Sequence, residues 1–234
     1  MAVNYLIINT FNTNTISDSV VTDFGDIKGA IPRYDEQKKL FGMNGQYNIE
    51  DGAYDGYERT LKLFVKRYED AQAIINAFQK QDNVLEFSYQ PGSIYYADLL
   101  ESEISLHGQN NWIVSIKVYQ HPFRYEKNIQ EVVLSGRGTI TNSGTIYSEP
   151  IITIEGQGEV TLTIGNQTMG LNLSGGAKID CRQRKQNIYT LNGQLKNTLR
   201  TRGPFFELPK GVIGVTTSGN VSKIKIQGNW RYII

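Results

Sequence analysis

Cysteine is almost absent: Cys181 is the only one in 234 residues. A single thiol cannot close an internal disulfide, and it does not supply the paired thiolates of a structural zinc site. Histidine is nearly as scarce, with His107 and His121 the only candidates for imidazole general-base chemistry. Neither sign of charge dominates. Lys and Arg total 24 against 23 Asp and Glu, a formal net charge of +1. Such a balance gives no reason to expect sequence-specific nucleic acid or an anionic membrane as a partner. No apolar run approaches the ~20 residues of a membrane helix. The opening "MAVNYLIINTFNTN" lacks the basic start and long apolar run of a signal peptide. The expectation is a soluble chain made and folded in a cytoplasm. No GxSxG elbow and no GxxxxGK[ST] phosphate loop occurs.

What is present is strand pattern. In "ERTLKLFVKRY", Leu61, Leu63 and Val65 alternate with Thr60, Lys62 and Lys66, broken only by Phe64. "NNWIVSIKVYQ" sets Trp112, Val114, Ile116 and Val118 opposite Ser115 and Lys117. One segment has helical period. Ala71, Ile74, Ile75 and Phe78 fall at i, i+3, i+4 and i+7, with Glu69 and Asp70 at the start and Lys80 near the end. The spacing predicts one helix over 69–80, packed on a sheet. After Pro122 the texture changes to short alternating runs separated by glycines: "PIITIEGQG", "EVTLTIGN", "MGLNLSGG", "AKIDC", "VIGVTTSG", "VSKIKIQG". Many short strands at this spacing predict an all-β sandwich. The expected fold is mainly β. A β-rich domain with one helix spans 1–127, and an all-β domain spans 128–234. "NWRYII" is expected to be built into a sheet.

The stretch "NIEDGAYDGYERT" is rich in acids and invites a calcium reading. Started at Asp51, an EF-hand loop puts Asp55 at position five and Gly56 at six. Position three is then Ala53, without a side-chain oxygen, and position twelve is Lys62, a cation. The segment reads instead as a glycine-punctuated turn, and no metal or cofactor is expected. Glu101 and Glu103 share one face of a strand, roughly 6.5 Å apart, near the spacing of an inverting glycosidase pair. Leu100, Ile104 and Leu106 on the other face make it an ordinary amphipathic strand. Arg182, Arg184 and Lys185, and likewise Arg200 and Arg202, read as polar faces of hairpins. Taken alone, the residues describe a two-domain, β-rich, non-catalytic binding or structural protein.

Longer stretches carry a resemblance. "NSGTIYSEPIITIEGQGEVTLTIGN", "KIDC" and "GPFFELPKGVIGVTTSGNVSKIKIQGNWRYII" resemble, in that order, the C-terminal part of distal tail proteins of long-tailed phages and prophages of the Gram-positive host type. "GMNGQYNIEDGAYDGYERTLKLFV", the helix, "LEFSYQPGSIYYA" and "HPFRY" resemble that family's ring-forming N-terminal domain. The turn "LPKGVIG" departs from the family, with Val212 and Ile213 where members often place Asn. The resemblance implies a galectin-like C-terminal sandwich. It implies a homo-hexameric ring at the tail tip of the virion, made in the bacterial host cytoplasm. The partners it implies are the tail tube protein, a tail-associated hub protein, and receptor-binding or peripheral baseplate proteins. Galectins hold sugar with HxNxR and WxxExR spacings, neither of which occurs here. The rival reading is a two-domain, lectin-like carbohydrate-binding module. For a ring, each subunit must offer two different complementary surfaces. The polar-aromatic segment 31–57 is the expected contact, through Tyr34, Tyr47, Tyr54, Asp55, Tyr57 and Glu58, because tyrosine joins apolar area to a polar tip.

Overall fold

The computed structural model describes residues 4–39, 41–45 and 47–233, the side chains of residues 35, 37, 47, 48, 50 and 51 excepted. The chain divides into two compact units. One runs to Lys127 and includes Ile233; the other is Asn128–Tyr232.

The first unit contains β1 (Leu6–Ile8), β2 (Phe11–Asn12), β3 (Val20–Asp23), β4 (Ile31–Lys38), β5 (Tyr47–Asp55), β6 (Tyr57–Val65), α1 (Tyr68–Asn76), β7 (Asn83–Phe87), β8 (Ser93–His107) and β9 (Asn111–Glu126). The main sheet runs β2-β1-β7-β8-β9-β6-β3, while β4 and β5 pair only with each other. The alternation read in β6 and β9 is the core. Leu61, Leu63, Val65, Val114, Ile116 and Val118 are fully buried, with Ala71 and Ile74 of α1 and Phe78 just beyond it. Burying an aliphatic side chain of this size stabilises by about 1.5–3 kcal/mol.

The helix ends at Asn76, short of the expected Lys80. Two asparagines capture the backbone there. Asn83, itself buried, accepts from the Gln79 amide at 2.7 Å and donates to the Gln79 carbonyl at 2.8 Å. Asn9 donates to the Ala77 carbonyl at 3.0 Å. Side chains that satisfy backbone groups locally replace the next helical turn.

Two irregularities shape the β8–β9 hairpin. Leu100 is an extra residue in β8, between the pairs Leu99↔Val118 and Glu101↔Lys117. It is therefore a bulge, and not part of a common apolar face with Ile104 and Leu106. Pro122 lies within β9, where the register also slips, opposite Tyr96. The strand continues through it to Glu126, because a bulge leaves one residue without a ladder partner and so tolerates the missing amide.

The second unit holds β10 (Val132–Leu134), β11 (Arg137–Asn142), β12 (Ile151–Ile164), β13 (Gln167–Asp180), β14 (Asn187–Tyr189), β15 (Arg200–Arg202), β16 (Gly211–Gln227) and most of β17 (Arg231–Ile233). Its sheet order is β10-β16-β12-β13-β14, with β11 also on β16 and β15 also on β13. The runs that read as separate short strands are halves of three long ones. "PIITIEGQG" and "EVTLTIGN" belong to β12, "MGLNLSGG" and "AKIDC" to β13, "VIGVTTSG" and "VSKIKIQG" to β16. Their dividing glycines lie side by side. Gly156 pairs with Gly175, and Glu155 with Gly176. Gly219 has φ +91°, and a Cβ there would sit 2.4 Å from the Glu159 carbonyl oxygen. The sheet folds over along this glycine seam, as strands do at sandwich corners. Both halves of β12 then feed one core: Ile152 and Ile154 from one, Val160, Leu162 and Ile164 from the other. Cys181 is in the same core, where burial pushes its thiol pKa up to about 12. β10 closes the sheet against the far half of β16, pairing Val132 with Ile226.

Candidate assembly interface

The segment 48–60 is not a turn. It is β5 from its second residue to its end, a one-residue break at Gly56, and the start of β6. Strand partners on both sides of the break override the turn chemistry of its glycines. β5 pairs with β4, from Ile31↔Asp55 to Lys38↔Tyr47, with two register slips. β6 pairs with β9, from Tyr57↔Gln120 onward. Gly56 is required by close approach. Its amide donates to the Tyr119 hydroxyl at 3.0 Å, and a Cβ would lie 2.2 Å from the Gln120 carbonyl oxygen.

From this break the β4–β5 hairpin leaves the main sheet. It exposes Ile31 and Ile49, and beyond β4 it exposes Phe41 and Met43. Its foot is tied down. The Tyr54 ring packs edge-on against Phe123 of β9, with centroids 5.5 Å apart. Arg59, 2% exposed, supplies the second tie. Its Nε donates to the Phe24 carbonyl at 2.5 Å, Nη1 to Gln120 Oε1 at 2.8 Å and Nη2 to the Tyr89 hydroxyl at 3.2 Å. Its guanidinium carbon lies 4.4 Å from the centre of the Phe87 ring. Among the described residues no carboxylate pairs with it. Three acceptors and an aromatic face hold this buried charge instead. Arg59 so joins the chain before the hairpin, at Phe24, to the strand after it.

The residues singled out from sequence are placed as follows. Tyr34 is half-buried on β4, and Tyr54 half-buried on β5. The side chain of Tyr47 lies outside the described residues. Asp55 is exposed. Glu58 is exposed and pairs with Lys117 at 2.6 Å. That hydrogen bond, and then the charges of Glu58 and Glu101, raise the Lys117 ammonium above its ordinary range. Tyr57 is only 7% exposed, and its hydroxyl accepts from Gln120 Nε2 at 3.0 Å. Its ring is thus spent within its own unit and has little surface left for a neighbour. Tyr54, Tyr57 and Glu58 gather at the hairpin foot, whereas Tyr34 stands further out.

Sequence reasoning missed Arg59 and Gln120. A signal exists: Arg59 shares the face of Tyr57 and Leu61, and Gln120 that of Val118. A polar residue in the buried phase of an alternating strand marks an internal hydrogen-bond node. The other candidates do not converge. Glu101 and Glu103 are both exposed. His121 Nε2 lies 3.2 Å from Asp98 Oδ2. Arg182 is tied to Asp180 at 2.6 and 2.9 Å, and Arg200 lies over the Phe205 ring.

No protein-family model matches this chain, and no curated protein sequence does. Among solved structures it is similar to the SPP1 Dit (gp 19.1) protein, described as a paradigm of the hub adsorption apparatus in phages that infect Gram-positive bacteria. The two are 13% identical at a TM-score of 0.64, over 97% of this chain and 99% of that one. Across both of its units, then, this chain has the fold of the SPP1 Dit protein.

Proposed function

We propose that this chain is a structural protein of a phage tail tip, a hub that links the tail tube to the adsorption apparatus. The observation that carries the reading is the match of fold over nearly the full length of both chains, with SPP1 Dit itself a hub protein. In this reading six copies close a ring through residues 1–127. The tail tube protein lies on one side of the ring and the tail-associated hub protein on the other. Receptor-binding or baseplate proteins attach at the periphery, and the site of action is the virion tail tip. The β4–β5 hairpin is the contact element. Tyr34, Tyr47, Tyr54, Asp55 and Glu58 meet the neighbour, and Tyr57 is the internal anchor that sets the hairpin's angle. Exposed isoleucines on an element outside the main sheet support this role.

Mass photometry of the purified full chain tests it, together with negative-stain images. The expected particle is a ring of six copies of 26.4 kDa each. A monomer at all micromolar concentrations, and again after mixing with tail tube and hub proteins, overturns it. The second arm matters because binding partners can complete a weak ring by mass action.

A further inference from the structure

The second unit is the basic half of the chain. Residues 128–232 hold twelve Lys and Arg against six Asp and Glu, whereas residues 1–127 hold twelve against seventeen. Two of the six acids are already committed, Glu149 to Arg231 at 3.2 Å and Asp180 to Arg182 at 2.6 Å. A charge imbalance of this kind points to an anionic partner. The unit also has a concave place to receive one. A cavity of about 280 Å³ opens where the loop after β14 lies against β13. Ser174 and Gly176 of β13 form one wall, and the loop supplies Thr190, Asn192, Gln194 and Lys196.

The loop holds its own shape. The Lys196 amide donates to the Ile188 carbonyl at 2.7 Å, the Thr190 amide to the Gln194 carbonyl at 2.8 Å and the Gly193 amide to the Thr190 carbonyl at 2.9 Å. The Asn197 side chain accepts from the Ile188 amide at 2.7 Å and donates to Asn187 Oδ1 at 2.9 Å. Leu199 anchors the far end in the core. Gly176 lets the loop come close, since a Cβ there would stand 2.9 Å from Leu191 Cδ1. With the backbone served in this way, the lining side chains are left over. Among the described residues, those of Ser174, Asn192, Gln194 and Lys196 have no hydrogen-bond or ion-pair partner. Lys178 is exposed two residues beyond Gly176 on the same face, and it too has no carboxylate partner among them. Glu155 lies across the ladder from Gly176, but with Lys223 on its other side.

This lining selects a ligand. Two amides, two hydroxyls and an ammonium offer donors and acceptors together, which suits a ring of hydroxyls. Leu191 and Leu199 give an apolar surface for the C–H face of such a ring. Among the described residues no aromatic ring lines the cavity to stack a base, and no group of three His, Cys, Asp or Glu could hold a metal ion. The volume is below the roughly 300–1,000 Å³ of drug-sized sites, so the cavity admits a single ring. We propose that it binds one acidic sugar unit, with the hydroxyls on Ser174, Asn192 and Gln194 and the carboxylate on Lys196. The site does not depend on the ring reading, because every residue in it belongs to the second unit.

The test is saturation-transfer NMR on the full chain, with glucuronate and galacturonate as probes and glucose and galactose as their neutral counterparts. At least one uronate should receive saturation and bind about tenfold more tightly than its counterpart, as one charge-assisted hydrogen bond provides. Lys196→Gln should remove that difference. Asn192→Ala with Gln194→Ala should abolish transfer to both members of the pair. All three side chains are exposed, so the melting temperature should hold. No transfer to any of the four probes overturns the proposal. So does a neutral hexose that binds as tightly as its uronate. Full displacement of the uronate by equimolar inorganic phosphate or acetate marks a simple anion site and overturns it as well. Should a variant melt early, amide hydrogen exchange of the wild-type chain decides the matter. Residues 187–199 should exchange more slowly under saturating uronate, and equal rates overturn the proposal. Each of these failures leaves the hub reading standing, which mass photometry tests separately.

Discussion

The β6–β9 ladder and the β4–β5 hairpin meet at Gly56, yet they are built on different rules. β6 alternates without a lapse, buried and outward, from Tyr57 to Val65. β4, "IPRYDEQK", has no apolar alternation, carries Pro32, and pairs with β5 through two register slips. The ladder makes the core of the first unit, and the hairpin adds almost nothing to it. Ile31, Ile49 and Phe41 are left unburied there, on the element proposed above as the ring contact. The difference separates stability from association: substitutions in the ladder should act on the first, and those in the hairpin on the second.

Breaking the ladder side should have the largest effect. Phe78→Ala empties a buried site under the sheet. It should cost about 3–5 kcal/mol, seen in urea denaturation as an earlier transition of the first unit. Normal stability with lost assembly would instead place Phe78 at a subunit contact. Arg59→Ala should follow, at about 2–3 kcal/mol, because Gln120 and the Phe24 carbonyl lose their donor inside the unit. Hydrogen exchange around residues 24–31 should accelerate in that variant. Unchanged exchange there would show that the hairpin foot is held by Tyr54 alone.

Sharpening the hairpin side needs smaller effects. Ile31→Ser with Ile49→Ser should leave monomer stability within about 0.5 kcal/mol, as exposed substitutions do. The same variant should shift rings toward monomer in mass photometry. A large loss of melting temperature would mean that the hairpin is packed in solution. The smallest effect is expected from millimolar calcium, or a chelator, on the melting temperature. The segment 48–60 is strand, with Ala53 and Lys62 at ligand positions, so no shift should appear. A rise of several degrees would show that its carboxylates gather on an ion.

The same contrast explains what was legible in the sequence. "ERTLKLFVKRY" and "NNWIVSIKVYQ" could be read because an alternating strand with one buried face writes that face into every second letter. The helix was legible, but its end was not. Asn9, which helps stop it, lies far away in the chain. Mainly β architecture was legible too. The number of strands in the second unit was not, because a glycine in a strand bend and a glycine in a turn look alike locally. Only the lateral pairing Gly156↔Gly175 tells them apart. Bulges hide in the same way. Ser222 is an extra residue in β16, which lets Val215 and Ile224 face one core despite their opposite phase. At the candidate interface the tyrosines stand out in the sequence, but it does not show that Tyr54 packs on Phe123 or that Tyr57 is buried. Gln120, which claims the Tyr57 hydroxyl, is 63 residues distant.

The pairing of Val132 with Ile226 has a consequence for how such a chain changes over generations. The second unit opens at Asn128, just before β10, and by the end of β16, some ninety residues later, the chain is again beside β10. The opening strand and a late strand of the unit are therefore only about 5 Å apart across the ladder. A unit hung from adjacent strands behaves as a cassette. It can be exchanged for another sandwich, enlarged at its distant turns, or deleted with a short splice, and the path of residues 4–127 need not be re-routed. Recombination between genes could refit the second unit while leaving the first unchanged.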